Sequence, residues 1–150
     1  EEMIKVENSY SRLKTQYAVI FFDIDHFKKV NDTYGHECGD VVLSTFGKIL
    51  EKSIRDVDLV ARYGGEEFIA IVHFNLDREL LVLLKRIKSI VTENSFIYQD
   101  KKLKITFSAG VTIRNKYPTY DIALQKADSL LYKAKETGRN KILLDNGIEI

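Results

Sequence analysis

The sequence holds one cysteine, Cys38, and one proline, Pro118, among 150 residues. A single cysteine excludes an internal disulfide and fits a reducing compartment, so a cytoplasmic location is expected. Cys38 itself reads as a small, partly buried side chain rather than a nucleophile. Charge of one sign is also lacking: 23 Lys and Arg stand against 22 Asp and Glu, a net charge of +1. That leaves no general footprint for nucleic acid or for an anionic membrane, and no contact with either is expected. Apolar runs are short; the longest, Ala18 to Phe22, cannot cross a bilayer. No signal peptide, internal repeat or low-complexity stretch is visible. His26, His36 and His73 have no zinc-like spacing with Cys38, and neither a G-x-S-x-G nor a P-loop lysine motif occurs. The chain opens on Glu1-Glu2. It reads as a fragment, with any sensor, receiver or membrane anchor upstream.

What is present is a soluble globular composition, 45% hydrophobic and 30% charged, in a length that suits one domain over residues 1–150. Residues up to about Lys14 suggest a helix. Tyr17 to Phe22 is a continuous apolar run ending in Asp23, which predicts a strand buried on both faces. Asp40 to Ile54 carries a helical stripe. Leu59 to Tyr63 and Phe68 to His73 flank Gly64-Gly65 and predict a hairpin. Leu80 to Val91 and Tyr120 to Thr137 are helical, the second capped by Gly138. Leu103 to Ile113 reads as a strand and Lys141 to Leu144 as a last one. This order predicts an α/β (α+β) sandwich with helices packed on a sheet.

Four clusters could carry chemistry. Asp23 and Asp25 lie where a buried strand leaves the core; they suit a hard cation, or they merely cap the next helix. Gly64-Gly65 at a hairpin tip, followed by Glu66 and Glu67 on opposite strand faces, admits a ligand close to the backbone, or is an ordinary glycine turn. Lys133, Lys135 and Arg139 suit a triphosphate, or simply a helix C-terminus. Asn31 to His36, then Gly39-Asp40, has turn chemistry and could also read a purine edge. Taken one at a time, each cluster leaves both readings open.

Together and in order, these stretches resemble the GGDEF family of diguanylate cyclases. The matching residues are Asp23-Ile24-Asp25-His26-Phe27-Lys28-Lys29-Val30-Asn31-Asp32-Thr33-Tyr34-Gly35-His36, Gly39-Asp40, Arg62-Tyr63-Gly64-Gly65-Glu66-Glu67-Phe68, Ser108-Ala109-Gly110-Val111, and Ala127-Asp128 through Tyr132-Lys133-Ala134-Lys135 to Gly138-Arg139-Asn140. The resemblance implies a central, mainly antiparallel sheet like that of adenylate cyclases and polymerase palms. It implies Mg2+, or Mn2+, held by Asp23 and Glu66 and by the carbonyl of Ile24, with Glu67 assisting the metal or the attacking hydroxyl. It implies GTP as substrate: Lys28, Lys135, Arg139 and amides near Phe27 on the phosphates, Asn31 and Asp40 on guanine, Gly64 and Gly65 admitting the triphosphate. Relatives that make mixed GMP-AMP dinucleotides carry serine at the position of Asp40, so a carboxylate there favours guanine. The product would be cyclic di-GMP, made across a homodimer. Arg55 and Asp58, an R-x-x-D just before the hairpin, with Arg86, resemble the family's product-binding inhibitory site; the plainer reading is a surface ion pair. The family's opening D-x-L-T…N-R segment is absent. The competing classes are a non-catalytic receptor for cyclic di-GMP or GTP, a palm-type enzyme acting on nucleic acid, and a structural dimerisation domain.

Overall fold

The computed structural model describes residues 16–94 and 96–150. The helix expected up to Lys14 lies outside them. Strand β1, Tyr17–Ile24, is built from aromatic and β-branched residues and is buried along its whole length. It pairs antiparallel with β3, Glu67–His73, on one side and with β6, Phe107–Ile113, on the other. β2, Leu59–Gly64, extends the sheet beyond β3, and β7, Ile142–Leu144, lies parallel to β6. The order is β2-β3-β1-β6-β7, so the strand with the longest apolar run is central and the sheet is mainly antiparallel, as expected.

Alternation along β1 sorts two cores. Ala18, Ile20, Phe22 and Ile24 face one way, with Phe68, Ala70 and Val72 of β3 beside them. Helices α1, Phe27–Tyr34, α2, His36–Ser53, and α3, Asp77–Glu93, supply the rest of this layer. Phe46 of α2 is its hub, with ring centroids 5.2 Å from Phe68, 5.6 Å from Phe107 and 6.0 Å from Phe22. Tyr17, Val19 and Phe21 face the other way, with Ile69 and Ile71, against Ala123, Ala127 and Leu131 of α4, Tyr120–Glu136. Thr119 caps α4 by accepting the amide of Ile122 at 3.2 Å. Asp23, in phase with Tyr17, Val19 and Phe21, is therefore delivered to the α4 side.

Two segments differ from expectation. Asn31 to Gly35 is not an open turn: α1 runs through it, ends at Gly35 (φ 95°), and α2 starts at His36, four residues before Asp40. Only Phe27 and Val30 of α1 are buried, too few apolar positions to show a period. Leu103 to Ile113 is not one strand. Lys101–Leu103 is β5, paired with β4, Phe96–Tyr98, through a Gln99-Asp100 turn at positive φ. β6 begins only at Phe107; one step beyond, in the same register, the amide of Asp25 donates to the Thr106 carbonyl at 3.0 Å.

Helix α4 lies directly on Gly110. A Cβ there would sit 2.0 Å from the carbonyl oxygen of Ala127 and 2.6 Å from the amide of Leu131, both rigid helix backbone. Gly110→Ala is expected to lower stability by about 3 kcal/mol, read by urea denaturation, since α4 must lift from the sheet.

Candidate active site

β1 and the β2–β3 hairpin end together. In the strand register Glu67 stands directly opposite Asp23, and the amide of Ile24 donates to the carbonyl of Glu66 at 3.3 Å. The hairpin is tight: the register shifts between Arg62 and Gly64, Gly65 has φ 44°, and Arg62 Nε braces its carbonyl at 2.8 Å. A Cβ on Gly64 or Gly65 would meet nothing within 4 Å, so the tip is open to an incoming group. From α4, Lys135 Nζ donates to Asp23 Oδ2.

A cleft of about 440 Å³ opens here. Its walls bring together Asp23, Ile24, Phe27, Lys28, Glu66, Lys135 and Arg139, distant in sequence and grouped by expectation. Glu67, across from Asp23, lies on the α4 side near Lys135 and Asp128. Lys133 is exposed and is not among the lining residues. Burial pushes the Asp23 carboxyl from 3.8 up to about 6; Lys135 pulls it back, and Glu66 and Glu67 push it further. Burial also raises Glu67, against the pull of Lys135. Carboxylates this reluctant to ionise beside one another suit a hard divalent cation, which relieves their repulsion and accepts oxygen ligands. Among the described residues no three acidic, His or Cys side chains already form a metal cage.

Asn31 and Asp40, the pair expected to meet a base, are split between two places. Asn31 Oδ1 is buried without a hydrogen-bond partner. It occupies the space a side chain on residue 39 would fill: a Cβ on Gly39 would lie 1.9 Å from it and 3.1 Å from Phe27 Cζ. Gly39 is thus what lets α2 approach α1 closely enough to seat Asn31 beside Phe27. Asp40 is exposed one residue on and lines a separate cavity of about 460 Å³ with Leu43, Ser44 and Arg62.

The R-x-x-D residues lie at the far end of the same strands, roughly 20 Å from Glu67 along β3. Arg55, Asp58 and Arg86 line one cavity of about 260 Å³, together with His73. Asp58 is no surface partner: its side chain is 1% exposed, against 59% for Arg55. It accepts the amides of Arg55 at 3.1 Å and His73 at 2.8 Å, and His73 Nδ1 lies 3.3 Å away. Arg55 Nη2 donates to the His73 carbonyl, and Arg86 Nη2 to that of Ser53 at 2.6 Å. Asp58 therefore holds the loop, while Arg55 stays exposed to a ligand.

Sequence reasoning missed the tertiary partners: His73, Gly39 as the seat of Asn31, and Asp25. Asp25 does not cap α1, whose N-cap is His26 with no side-chain bond. Its carboxylate turns instead to β6 and to the turn after α4.

Because the folded Asp23 binds its proton more tightly than an unfolded aspartate, its cost to stability is absent below about pH 4 and complete above about 6. The melting temperature of Asp23→Asn relative to wild type, in metal-free buffer, should rise as pH climbs through that window. A flat difference would mean that Asp23 ionises like a surface residue.

Residues 2–141 match the family model described as the diguanylate cyclase GGDEF domain. The chain is 38% identical over 138 residues to diguanylate cyclase A of Treponema denticola, covering 91% of this chain and 37% of that protein. It spans about a third of the length of the curated relatives it matches. Its fold superposes on the GGDEF domain of DgcB from Caulobacter crescentus, solved in complex with c-di-GMP, with a TM-score of 0.88 at 27% identity, over 95% of this chain and 85% of that one. It superposes equally widely on the active GGEEF domain of a diguanylate cyclase from Vibrio cholerae, with a TM-score of 0.81 at 33% identity, over 93% and 89% of the two chains. With the Gly64-Gly65 hairpin set against the end of β1, the chain belongs to the GGDEF family of diguanylate cyclase domains.

Proposed function

We propose that this domain condenses two GTP molecules into cyclic di-GMP, releasing two pyrophosphates. The observation that carries this reading is the single cleft that gathers Asp23 and Glu66 with Lys28, Lys135 and Arg139 beneath an open glycine hairpin. Carboxylates alone would repel a triphosphate, and cations alone would bind it without activating anything. Side by side they suit phosphoryl transfer. Asp23, Glu66 and the Ile24 carbonyl would hold Mg2+, or Mn2+, which when bound lowers the pKa of the attacking hydroxyl and neutralises phosphoryl charge. Lys28, Arg139 and amides near Phe27 hold the β and γ phosphates, and Lys135, paired with Asp23 in the structure, would join them on the phosphates once a metal ion neutralised that carboxylate. Asn31, whose buried oxygen lacks a partner, and Asp40 bind the guanine edge.

The ribose 3′ oxygen of each GTP in turn forms a bond to the α-phosphorus of the other, and each time the bond from that phosphorus to pyrophosphate breaks, so that the second attack closes the ring. The hydroxyl proton passes to solvent or to Glu67, whose raised pKa suits a base. Each cleft accommodates one triphosphate, so two domains must face each other about a two-fold axis. An upstream sensor or receiver would control that pairing. Since GTP is an intracellular nucleotide, the domain works in the cytoplasm; no helix among the described residues is long and apolar enough to cross a membrane. Product returns to the Arg55, Asp58 and Arg86 cavity and inhibits, its phosphates and guanine meeting the exposed Arg55.

Protein incubated with magnesium and GTP should yield cyclic di-GMP by mass spectrometry, and Asp23→Ala should lower the rate by at least about a hundredfold. Tight cyclic di-GMP binding with no product, even in a dimer enforced by a fused coiled coil, would instead make this a receptor. Specific activity should fall on dilution; a constant value would refute the facing-dimer requirement. Arg55→Ala should lose product inhibition, and inhibition that persists would move the inhibitory site elsewhere.

A further inference from the structure

Asp25 is 4% exposed, and among the described residues its carboxylate accepts from neutral donors. Oδ1 accepts the Ser108 hydroxyl at 2.7 Å. Oδ2 accepts the Thr106 hydroxyl at 2.7 Å and the backbone amide of Asn140 at 3.0 Å. Its own amide donates to the Thr106 carbonyl at 3.0 Å. A buried carboxylate is costly, and one with three donors is held where it is for what it holds in turn. Both oxygens are committed to β6 and the turn after α4, which separates Asp25 from Asp23 two residues earlier.

That turn is strained. Gly138, Arg139 and Asn140 take φ of 118°, 62° and 50°, three left-handed residues in succession, two of them carrying a Cβ. Such backbone persists only where its surroundings over-determine it. Here the Arg139 amide donates to the Ala134 carbonyl at 2.9 Å, and the Ala109 amide to the Lys141 carbonyl at 3.0 Å. Between these two anchors stands the bond from Asn140 to Asp25. The Arg139 side chain is exposed and lines the cleft, so its aim depends on its backbone.

We propose that Asp25 is a positioning residue that holds the Gly138–Asn140 turn in its left-handed conformation and so aims Arg139 at the triphosphate. This rests on the reading of the cleft as a GTP site. Asp25 ties three segments into one rigid unit: the end of the β1 strand that carries Asp23, the start of β6, and the cation-bearing turn. Without it the turn relaxes, Arg139 swings away, and the terminal phosphates lose a partner while the guanine and α-phosphate contacts stay intact.

The test is a double-mutant cycle on the chain, by calorimetry with magnesium, using a non-hydrolysable GTP analogue and, separately, GMP. Asp25→Ala and Arg139→Ala should each weaken the triphosphate analogue about tenfold. GMP affinity should be unchanged, and the double variant should be no weaker than Arg139→Ala alone. Losses that multiply in the double variant, or an equal loss for GMP, overturn the proposal. Should Asp25→Ala fail to fold, Asp25→Asn decides. It keeps an acceptor oxygen for the Asn140 amide, so analogue affinity within about twofold of wild type supports the hydrogen-bonded pin, and a tenfold loss overturns it. Wild-type protein that binds no triphosphate analogue at all would sink the GTP reading itself, and the proposal with it. A binding wild type with a multiplicative cycle would sink the proposal alone.

Discussion

Strand β1 is buried on both faces, yet it carries Asp23 near its end and hands the chain on to Asp25 just beyond it. Eight consecutive buried residues leave the chain no freedom at that end: the ladder to β3 and β6 fixes the backbone, and alternation fixes which face each side chain takes. Asp23 emerges on the α4 side, opposite Glu67 and within reach of Lys135. Asp25, beyond the last paired residue, turns to Thr106 and Ser108. A register slip of one residue would exchange apolar and charged faces and abolish both placements. The stability of the sheet and the geometry of the cleft are therefore one property, and the aromatic cluster around Phe46 that anchors β1, β3 and β6 also sets the spacing of the carboxylates.

Much of this was legible in the sequence because it is local or strongly periodic. The β1 run, the Gly64-Gly65 hairpin and the stripe of α4 each announce themselves within one window, and the order of motifs supplied the grouping of Asp23, Lys28, Glu66, Lys135 and Arg139. The failures share a cause. α1 buries only Phe27 and Val30, and β4 is three residues long, so neither offers a period. Gly39 looks like turn chemistry until α1 is seen pressed against it, with Asn31 in the place of a side chain. Asp25 looks like a helix cap until partners more than 80 residues away arrive. Asp58 looks like half of a surface pair, but it is a buried anchor for the amides of Arg55 and His73. In each case the residue type was visible and its partner was not.

The two ends of the sheet use their charged residues differently. At the Asp23 end, acids and bases line an open cleft, and Asp23 is paired there with Lys135. At the Arg55 end, the acid is sealed and bonded to the backbone, while Arg55 and Arg86 stay exposed. A sealed carboxylate with two amide donors is a poor metal ligand and a good support. It fixes the loop and leaves the guanidinium, a planar fork with a permanent charge, to meet an anion.

Charge in the cleft is balanced much as in the whole chain. Its lining holds four carboxylates, Asp23, Asp25, Asp32 and Glu66, against four cations, Lys28, Lys29, Lys135 and Arg139. A triphosphate entering alone would meet as much repulsion as attraction. A divalent ion on the acidic wall would shift the balance in its favour and would free Lys135 from Asp23 for phosphate. On the proposed reading this couples nucleotide and metal: neither should bind well without the other, although the net charge of +1 gives no hint of a phosphate-binding protein. Specificity then comes from the few groups whose positions the fold enforces, such as the turn bearing Arg139, which Asp25 ties to the end of β1.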